Sequence, residues 1–399
     1  MIRSWLRISL LNFLIAAVMG LVLRYAFVVE LSWVNFRYLL HGHSHVAMLG
    51  WLYLALFSLI VHSFLPKDKQ QTRFLTRLFW LTQVSVIGMA VAFPLYGYGP
   101  VSITFSSLHV VFSYAFAYYV FRHLPRRKKP AFSFLKAALW FMILSTLALW
   151  AIPPIILFGS HGSALYYAAI QFFLHFQFNG WFLFGGLALF FHLAEQRSVV
   201  FSGVTLRWFF RLLVLATFFT YALAVAWSNP IPLVFGLNSI GVLVQLIAAL
   251  LFVQLVWPHR RMLSGQFWTS TLLSLSFASF LAKLIMQSAV VFPVVATAAY
   301  TIRNYVIGFI HLILLGAMTF FLLAFCLDQN ILRANSRTIR IGLVTLIAGF
   351  ILTEVILFLQ GTFFWGAMGF LPYYYVGLFA TSCLLPVGVL LLVVHPDSR

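Results

Sequence analysis

Acidic side chains are nearly missing from this chain: 6 Asp and Glu stand against 25 Lys and Arg in 399 residues, and charged residues of both signs make up only 8%. A soluble surface needs roughly a quarter of its residues charged, so that class is excluded. A chain that is 63% hydrophobic and 18% aromatic belongs in a lipid bilayer. Cysteine is scarce too: Cys326 and Cys383 both sit in apolar runs, which excludes a disulfide framework and a cysteine metal site and leaves them as packing residues. No stretch between the apolar runs is long enough for a soluble domain. A short apolar core followed by a small-residue cleavage site is also lacking, so the first run, about 8 to 29, is expected to be a transmembrane helix and not a cleaved leader. The formal charge of +19 would suit nucleic acid, but the basic residues lie in short loops between apolar runs and report membrane orientation instead.

A helix needs roughly 20 apolar residues to cross the hydrocarbon layer. Such runs fall at about 8 to 29, 39 to 65, 76 to 97, 101 to 123, 134 to 158, 164 to 194, 207 to 227, 231 to 257, 266 to 292, 302 to 327, 338 to 360 and 371 to 394. The expected fold is therefore an all-α integral membrane protein of twelve spans. Basic loops follow the second span (Lys67, Lys69, Arg73, Arg77), the fourth (Arg126, Arg127, Lys128, Lys129), the sixth (Arg197, Arg207), the eighth (Arg260, Arg261) and the tenth (Arg333, Arg337, Arg340), while the connections after spans three, five, seven and eleven carry none. By the positive-inside rule both termini are cytoplasmic, as expected of a multi-pass protein of a bacterial cytoplasmic membrane.

An internal repeat surrounds three histidines: His45-x4-Gly50-Trp51, His175-x4-Gly180-Trp181 and His311-x4-Gly316-Ala317. They fall on spans two, six and ten at nearly equal separations, which divides the chain into three four-helix units at about 1–130, 131–262 and 263–399. Arg37 and Arg303 each stand eight residues before their histidine; the middle copy has Tyr167 there. At ~1.5 Å per residue the three imidazoles lie roughly 10 to 17 Å below the outer end of their helices. Polar groups at that depth tend to mark function, and the following glycine admits a flat ligand or a neighbouring helix. Ligation of a macrocycle and simple helix packing inherited from duplication are the two readings.

Span two also carries His41 and His43. His41 and His45 share a face at metal-ligand spacing while His43 points away, and His109 on span four lies at similar depth. His62, His123, His192, His259 and His395 sit at the basic ends of spans, as snorkelling residues do, and His161 lies in an outer loop. Arg37 and Arg303, with Arg24, are the arginines placed outside, and their guanidinium groups suit carboxylates such as heme propionates or lipid headgroups. Lys283 on span nine and Glu354 on span eleven are charges within the bilayer, expected to pair with each other or to serve a proton route.

The twelve spans, with histidines on spans two, six and ten, resemble the catalytic subunit of heme-copper oxidases and nitric oxide reductases. His43-x-His45-x4-Gly50-Trp51 is similar to the His-x-His-x4-Gly-Trp stretch that C-type oxidases carry on their tenth span, and to the His-x-His-x4-Gly-aromatic stretch of NnrS-type membrane proteins associated with nitric oxide stress; His311-x4-Gly316-Ala317 resembles the later His-x4-Gly-Ala of the latter. The resemblance implies a bis-histidine heme, b-type, on His45 and His311, with Gly50 and Gly316 beside it and Arg37 and Arg303 at its propionates. NO or O2 would be the gas handled, and a quinol or cytochrome c the electron donor. Departures are equally plain: no histidine lies between His192 and His259 to supply a seventh-span copper pair, His311 is alone on span ten, and Asn179 stands where many oxidases have a tyrosine. A complete proton-pumping oxidase is not expected, although His175, His109, His41 and His43 remain candidates for a second metal, copper. Two other readings stay open, a transporter of protons or metal ions working through intramembrane His, Lys and Glu, and an assembly protein passing on heme or copper; a reduced optical spectrum separates them.

Overall fold

The computed structural model describes all residues except 126–128, 160, 227, 229, 230, 264, 335 and 395–399; Arg126, Arg127, Lys128 and His395 thus lie outside the described residues. The protein is all-helical, without a strand among the described residues, and it is a multi-pass membrane protein. Among the described residues eleven helices are long and apolar enough to cross a bilayer: α1 (Ile2–Tyr25), α2 (Phe36–Phe64), α3 (Arg73–Tyr96), α4 (Pro100–His123), α5 (Pro130–Phe158), α7 (Gly203–Ala226), α8 (Pro232–Leu263), α9 (Phe267–Ala289), α10 (Arg303–Asp328), α11 (Arg337–Trp365) and α12 (Tyr374–Val394). The remaining expected span, α6, is helical throughout 164–196, but Gln171, His175, Gln177 and Asn179 within it make it less apolar than the others. Helix ends follow ordinary chemistry: Asn35, Thr72, Ser163, Ser202 and Ser336 cap α2, α3, α6, α7 and α11 through their side-chain oxygens.

Residue contacts divide the chain into two compact units, one made of 1–125 with 302–399 and the other of 126–301. In the first, α2 forms the core, with 83% of its most apolar window buried against 39% for α1 and 33% for α4. Aromatic packing surrounds it: Trp51 stacks on Phe13 of α1 at 5.0 Å, and Phe57 stacks on Phe116 of α4 at 4.1 Å. Trp51 also ties α2 to α10 by donating Nε1–H to the Thr319 hydroxyl at 2.9 Å. In the second unit the core is a phenylalanine cluster, Phe134 of α5 with Phe191 of α6 at 4.7 Å and Phe209 of α7 with Phe252 of α8 at 5.2 Å.

The three-fold sequence repeat has a local structural counterpart. In α2, α6 and α10 the α-helix gives way to π-helix at the residue after each repeated histidine, over Val46–Leu52, Phe176–Phe182 and Leu312–Thr319. Single π turns are uncommon and concentrate at functional sites. Their i→i+5 bonding disturbs the pairing of backbone carbonyls, which in a membrane must find partners inside the protein. Side chains supply them. Asn12 of α1 donates to the Gly50 carbonyl at 3.0 Å while exchanging two hydrogen bonds with Gln83 of α3, at 2.7 and 3.0 Å. Asn179 donates to the His175 carbonyl at 3.3 Å, and Thr319 to that of Leu314 at 2.8 Å.

The two buried contacts of the first unit differ in what their loss leaves behind. Trp51→Phe removes one interhelical bond, on average about 0.6 kcal/mol in a membrane. Asn12→Leu strands both the Gly50 carbonyl and the Gln83 amide, about 1–3 kcal/mol for each buried group left unpaired. Thermal unfolding in detergent is expected to show the larger loss for Asn12→Leu; the reverse order would overturn this account of the π turn.

Candidate functional site

Of the candidate histidines His41, His43, His45 and His109 in the first unit, three are held through a bond to a backbone carbonyl. His45 donates Nδ1–H to the His41 carbonyl at 2.8 Å, and His43 donates Nδ1–H to the Ala16 carbonyl of α1 at 2.8 Å. His109 of α4 bonds the Leu49 carbonyl, inside the π turn of α2, so this residue too serves a carbonyl of that turn. Fixing Nδ1 as the donor leaves Nε2 as the lone-pair nitrogen, the tautomer a metal-ligating histidine adopts. The Nε2 atoms of His41 and His109 are buried without a hydrogen-bond partner.

Residues two apart on a helix lie on nearly opposite faces, and the α2 cluster divides accordingly. On one side His45 stacks on Phe93 of α3 at 4.1 Å, His41 meets Tyr98 edge-on at 4.6 Å, and His109 meets Tyr53 edge-on at 4.6 Å. On the other side His43 faces α1, where a side chain at Gly20 would meet its ring at 2.9 Å. His311 of α10 has Arg24 and His43 within electrostatic reach, and its Nδ1 lies 3.7 Å from the Glu354 carboxylate of α11. The structure thus brings His43, read from the sequence as pointing away, to the side of His311. Both carboxylate oxygens of Glu354 are buried without a hydrogen bond.

Sequence reasoning places Arg24 among the outer arginines and misses its part in this cluster. It sits in the last turn of α1, and Tyr374, Glu354 and Arg303 are within its electrostatic reach. Its place within an apolar run, in a chain with a buried acid, was a readable signal. Arg37 and Arg303 are exposed at the start of α2 and α10, with the Arg303 guanidinium 5.6 Å above the Phe36 ring. Arg303 also lies within electrostatic reach of Arg24.

The glycines serve packing. A Cβ at Gly50 would lie 2.8 Å from Val86 of α3 and 3.0 Å from Asn12 of α1, and one at Gly180 would lie 2.5 Å from Phe141 of α5. At these two positions a neighbouring helix fills the space that a flat ligand would need. Gly316 is buried within the π turn of α10.

In the second unit His175 is internally satisfied. Its Nε2–H donates to the Thr217 carbonyl at 2.8 Å, and its Nδ1 accepts from the Asn179 amide at 3.4 Å. Both ring nitrogens of His175 thus have partners within the protein. Among the described residues no group of three or more His, Cys, Asp or Glu forms a metal cage. His161 is exposed and packs against Tyr166 at 4.7 Å.

No protein-family model and no curated protein matches this chain.

A satisfied core histidine and a metal ligand respond differently to removal. His175→Ala is expected to lower thermal stability by about 1–3 kcal/mol, from the stranded Thr217 and Asn179 groups, with the metal content of the purified protein unchanged. Loss of bound copper on that substitution would restore the ligand assignment.

Proposed function

We propose that this chain is a membrane heme protein similar to heme-copper oxidase subunit I, nitric oxide reductase or NnrS-type proteins. In this reading it has twelve spans in three four-helix units, resides in a bacterial cytoplasmic membrane with both termini cytoplasmic, and acts in NO or O2 chemistry or in electron transfer. The observation that carries the reading is the equivalence of His45 and His311. Each is the last α-helical residue before a π turn, and the helices that bear them are tied together by the Trp51–Thr319 bond.

A six-coordinate heme asks the protein for two imidazoles and no cage, and because the structure turns His43 and not His45 to the side of His311, ligation by the His45 and His311 pair requires α2 to rotate. His45 has its Nδ1–H on the His41 carbonyl and its Nε2 unbonded. His311 has the Glu354 carboxylate 3.7 Å from its Nδ1, close enough for charge to act on the ring but beyond hydrogen-bond distance. Arg37 and Arg303, exposed at the start of the same two helices, suit the propionates. Phe93 and Tyr98 give His45 an aromatic wall that restricts its rotation. Bound there, a heme would supply one-electron chemistry and an affinity for diatomic gases.

The reduced visible spectrum of the purified protein tests the reading. Sharp low-spin heme bands are expected in the wild type and lost in both His45→Ala and His311→Ala, with retention in His43→Ala. Absence of heme bands favours the ion-transporter reading, and loss in His43→Ala with retention in His45→Ala transfers the α2 ligand to the other face.

The arginines generate a second expectation. Charge-assisted hydrogen bonds contribute about 1.5–3 kcal/mol each, so Arg37→Gln or Arg303→Gln is expected to weaken heme retention by about tenfold or more, or to shift its midpoint potential. No change in either quantity would make them lipid-headgroup contacts.

A further inference from the structure

The unit formed by α5 to α9 has a cavity at the end where its basic residues gather. Arg197, just after α6, donates to the Met262 carbonyl at 3.1 Å and to the Leu263 carbonyl, so the connection between α6 and α7 is tied to the last turn of α8. Val199 of that connection packs with Ala194 and Leu263, and Phe201 and Val256 close over them. Between the connection and α8 lies a cavity of about 150 Å³, lined by Phe201, Ser202, Thr205, Gln254, Leu255 and His259. That is well beyond the ~10–15 Å³ that admits a single water.

Four of these six residues are polar, and they offer donors. The Ser202 oxygen accepts from the Thr205 hydroxyl at 3.2 Å and from the Thr205 N–H at 3.5 Å, which leaves the proton of Ser202 itself to be given elsewhere. His259 packs edge-on against Phe201 at 5.6 Å, and among the described residues neither it nor Gln254 has a hydrogen-bond partner. Positive charge stands beside them. The Arg207 guanidinium folds back over the first turn of α7, where a Cβ at Gly203, next to Ser202, would lie 3.6 Å from its Nη1. Arg260, next to His259, lies 4.5 Å above the Trp257 ring and gives one N–H to the Trp257 carbonyl at 2.8 Å. From 126 to 301 the sequence holds a single acid, Glu195, and Lys129 engages it at 3.1 Å.

Hydroxyl, amide and imidazole donors beside a guanidinium with no acid to answer it suit the oxygens of a phosphate. Such a group could come from a soluble anion or from a lipid headgroup, and the rim favours the lipid. Val200 and Trp257, which flank the lining residues in sequence, are 82% and 59% exposed; a soluble anion has no use for these apolar surfaces, whereas a glycerol backbone and acyl chains cover them. Basic pockets between spans at this level hold anionic headgroups by the same logic. We propose that Ser202, Arg207, Gln254 and His259, with Thr205 orienting Ser202, bind the headgroup phosphate of an anionic glycerophospholipid of the phosphatidylglycerol class. None of these residues is among the proposed heme ligands, so the site stands or falls independently of the heme reading.

Native mass spectrometry of the full chain in detergent, titrated with phosphatidylglycerol or with phosphatidylcholine of the same acyl chains, tests this directly. The wild type is expected to take up one phosphatidylglycerol with at least about tenfold higher affinity than phosphatidylcholine, and inorganic phosphate should not displace it. Arg207 is exposed, so its replacement leaves the packing intact; Arg207→Gln and His259→Gln should each weaken phosphatidylglycerol binding by about fivefold. Arg333→Gln, which removes an exposed arginine of the other unit, should change it by less than about twofold. Equal affinity for the two lipids overturns the proposal, as does wild-type affinity in both Arg207→Gln and His259→Gln. An equal loss in Arg333→Gln would leave only the diffuse attraction of a basic face and also overturns the site, and displacement of the lipid by inorganic phosphate overturns the lipid assignment.

Discussion

A backbone carbonyl inside a bilayer has to be bonded by the protein itself, and the π turns in α2, α6 and α10 put that demand where the polar side chains are. The unusual features of the first unit arise from it. Asn12 is buried in α1 because the Gly50 carbonyl needs a donor, and Gln83 is buried in α3 because Asn12, once placed, needs both halves of its amide satisfied. His109 enters from α4 to serve the neighbouring Leu49 carbonyl. A polar residue that looks like an anomaly in an apolar run is here the second half of a backbone bond. The net worth of each such bond is small, yet leaving one open costs more than forming it contributes, so these residues are tied to the π turn as a set.

The same turn gives the histidines their character. An extra residue accommodated in a helix rotates the later turns relative to the earlier ones, so α2 directs His41 and His45 toward α3 and α4 before the π segment and Trp51 toward α1 and α10 within it. A regular helix of that length would keep one face toward one set of neighbours throughout. The glycine after each histidine lets an adjacent helix approach the widened segment, as Val86 and Asn12 do at Gly50 and Phe141 does at Gly180.

Much of this was legible in the sequence. The paucity of charge and the length of the apolar runs specified a helical membrane protein, and the His-x4-Gly period marked three positions that share a local conformation. What the period could not convey is the direction of each ring. The two-residue spacing turns His43 away from the site, which holds relative to His45, but the partner it turns toward, His311, comes from a helix more than 250 residues later in the chain. The roles of Glu354 and Arg24 escaped for the same reason: they depend on α1, α10 and α11 being neighbours, which no local pattern encodes. His175 shows the converse. Its motif equals that of His45, and only the tertiary position of the Thr217 carbonyl, 42 residues later, separates a satisfied histidine from an available one.

The order in which the chain is made has a bearing on the bond between Trp51 and Thr319, whose partners are 268 residues apart in sequence. The unit to which both belong is interrupted by the whole of 126–301. During synthesis α2, with its histidines and its tryptophan, is therefore complete long before α10 emerges, and five helices of the other unit are made in between. For that interval the most buried helix of its unit has no α10 to cover it. Lipid, or a membrane-insertion factor, has to shield a polar helix face until the last quarter of the protein arrives, which makes this helix the point at which assembly is most exposed to error.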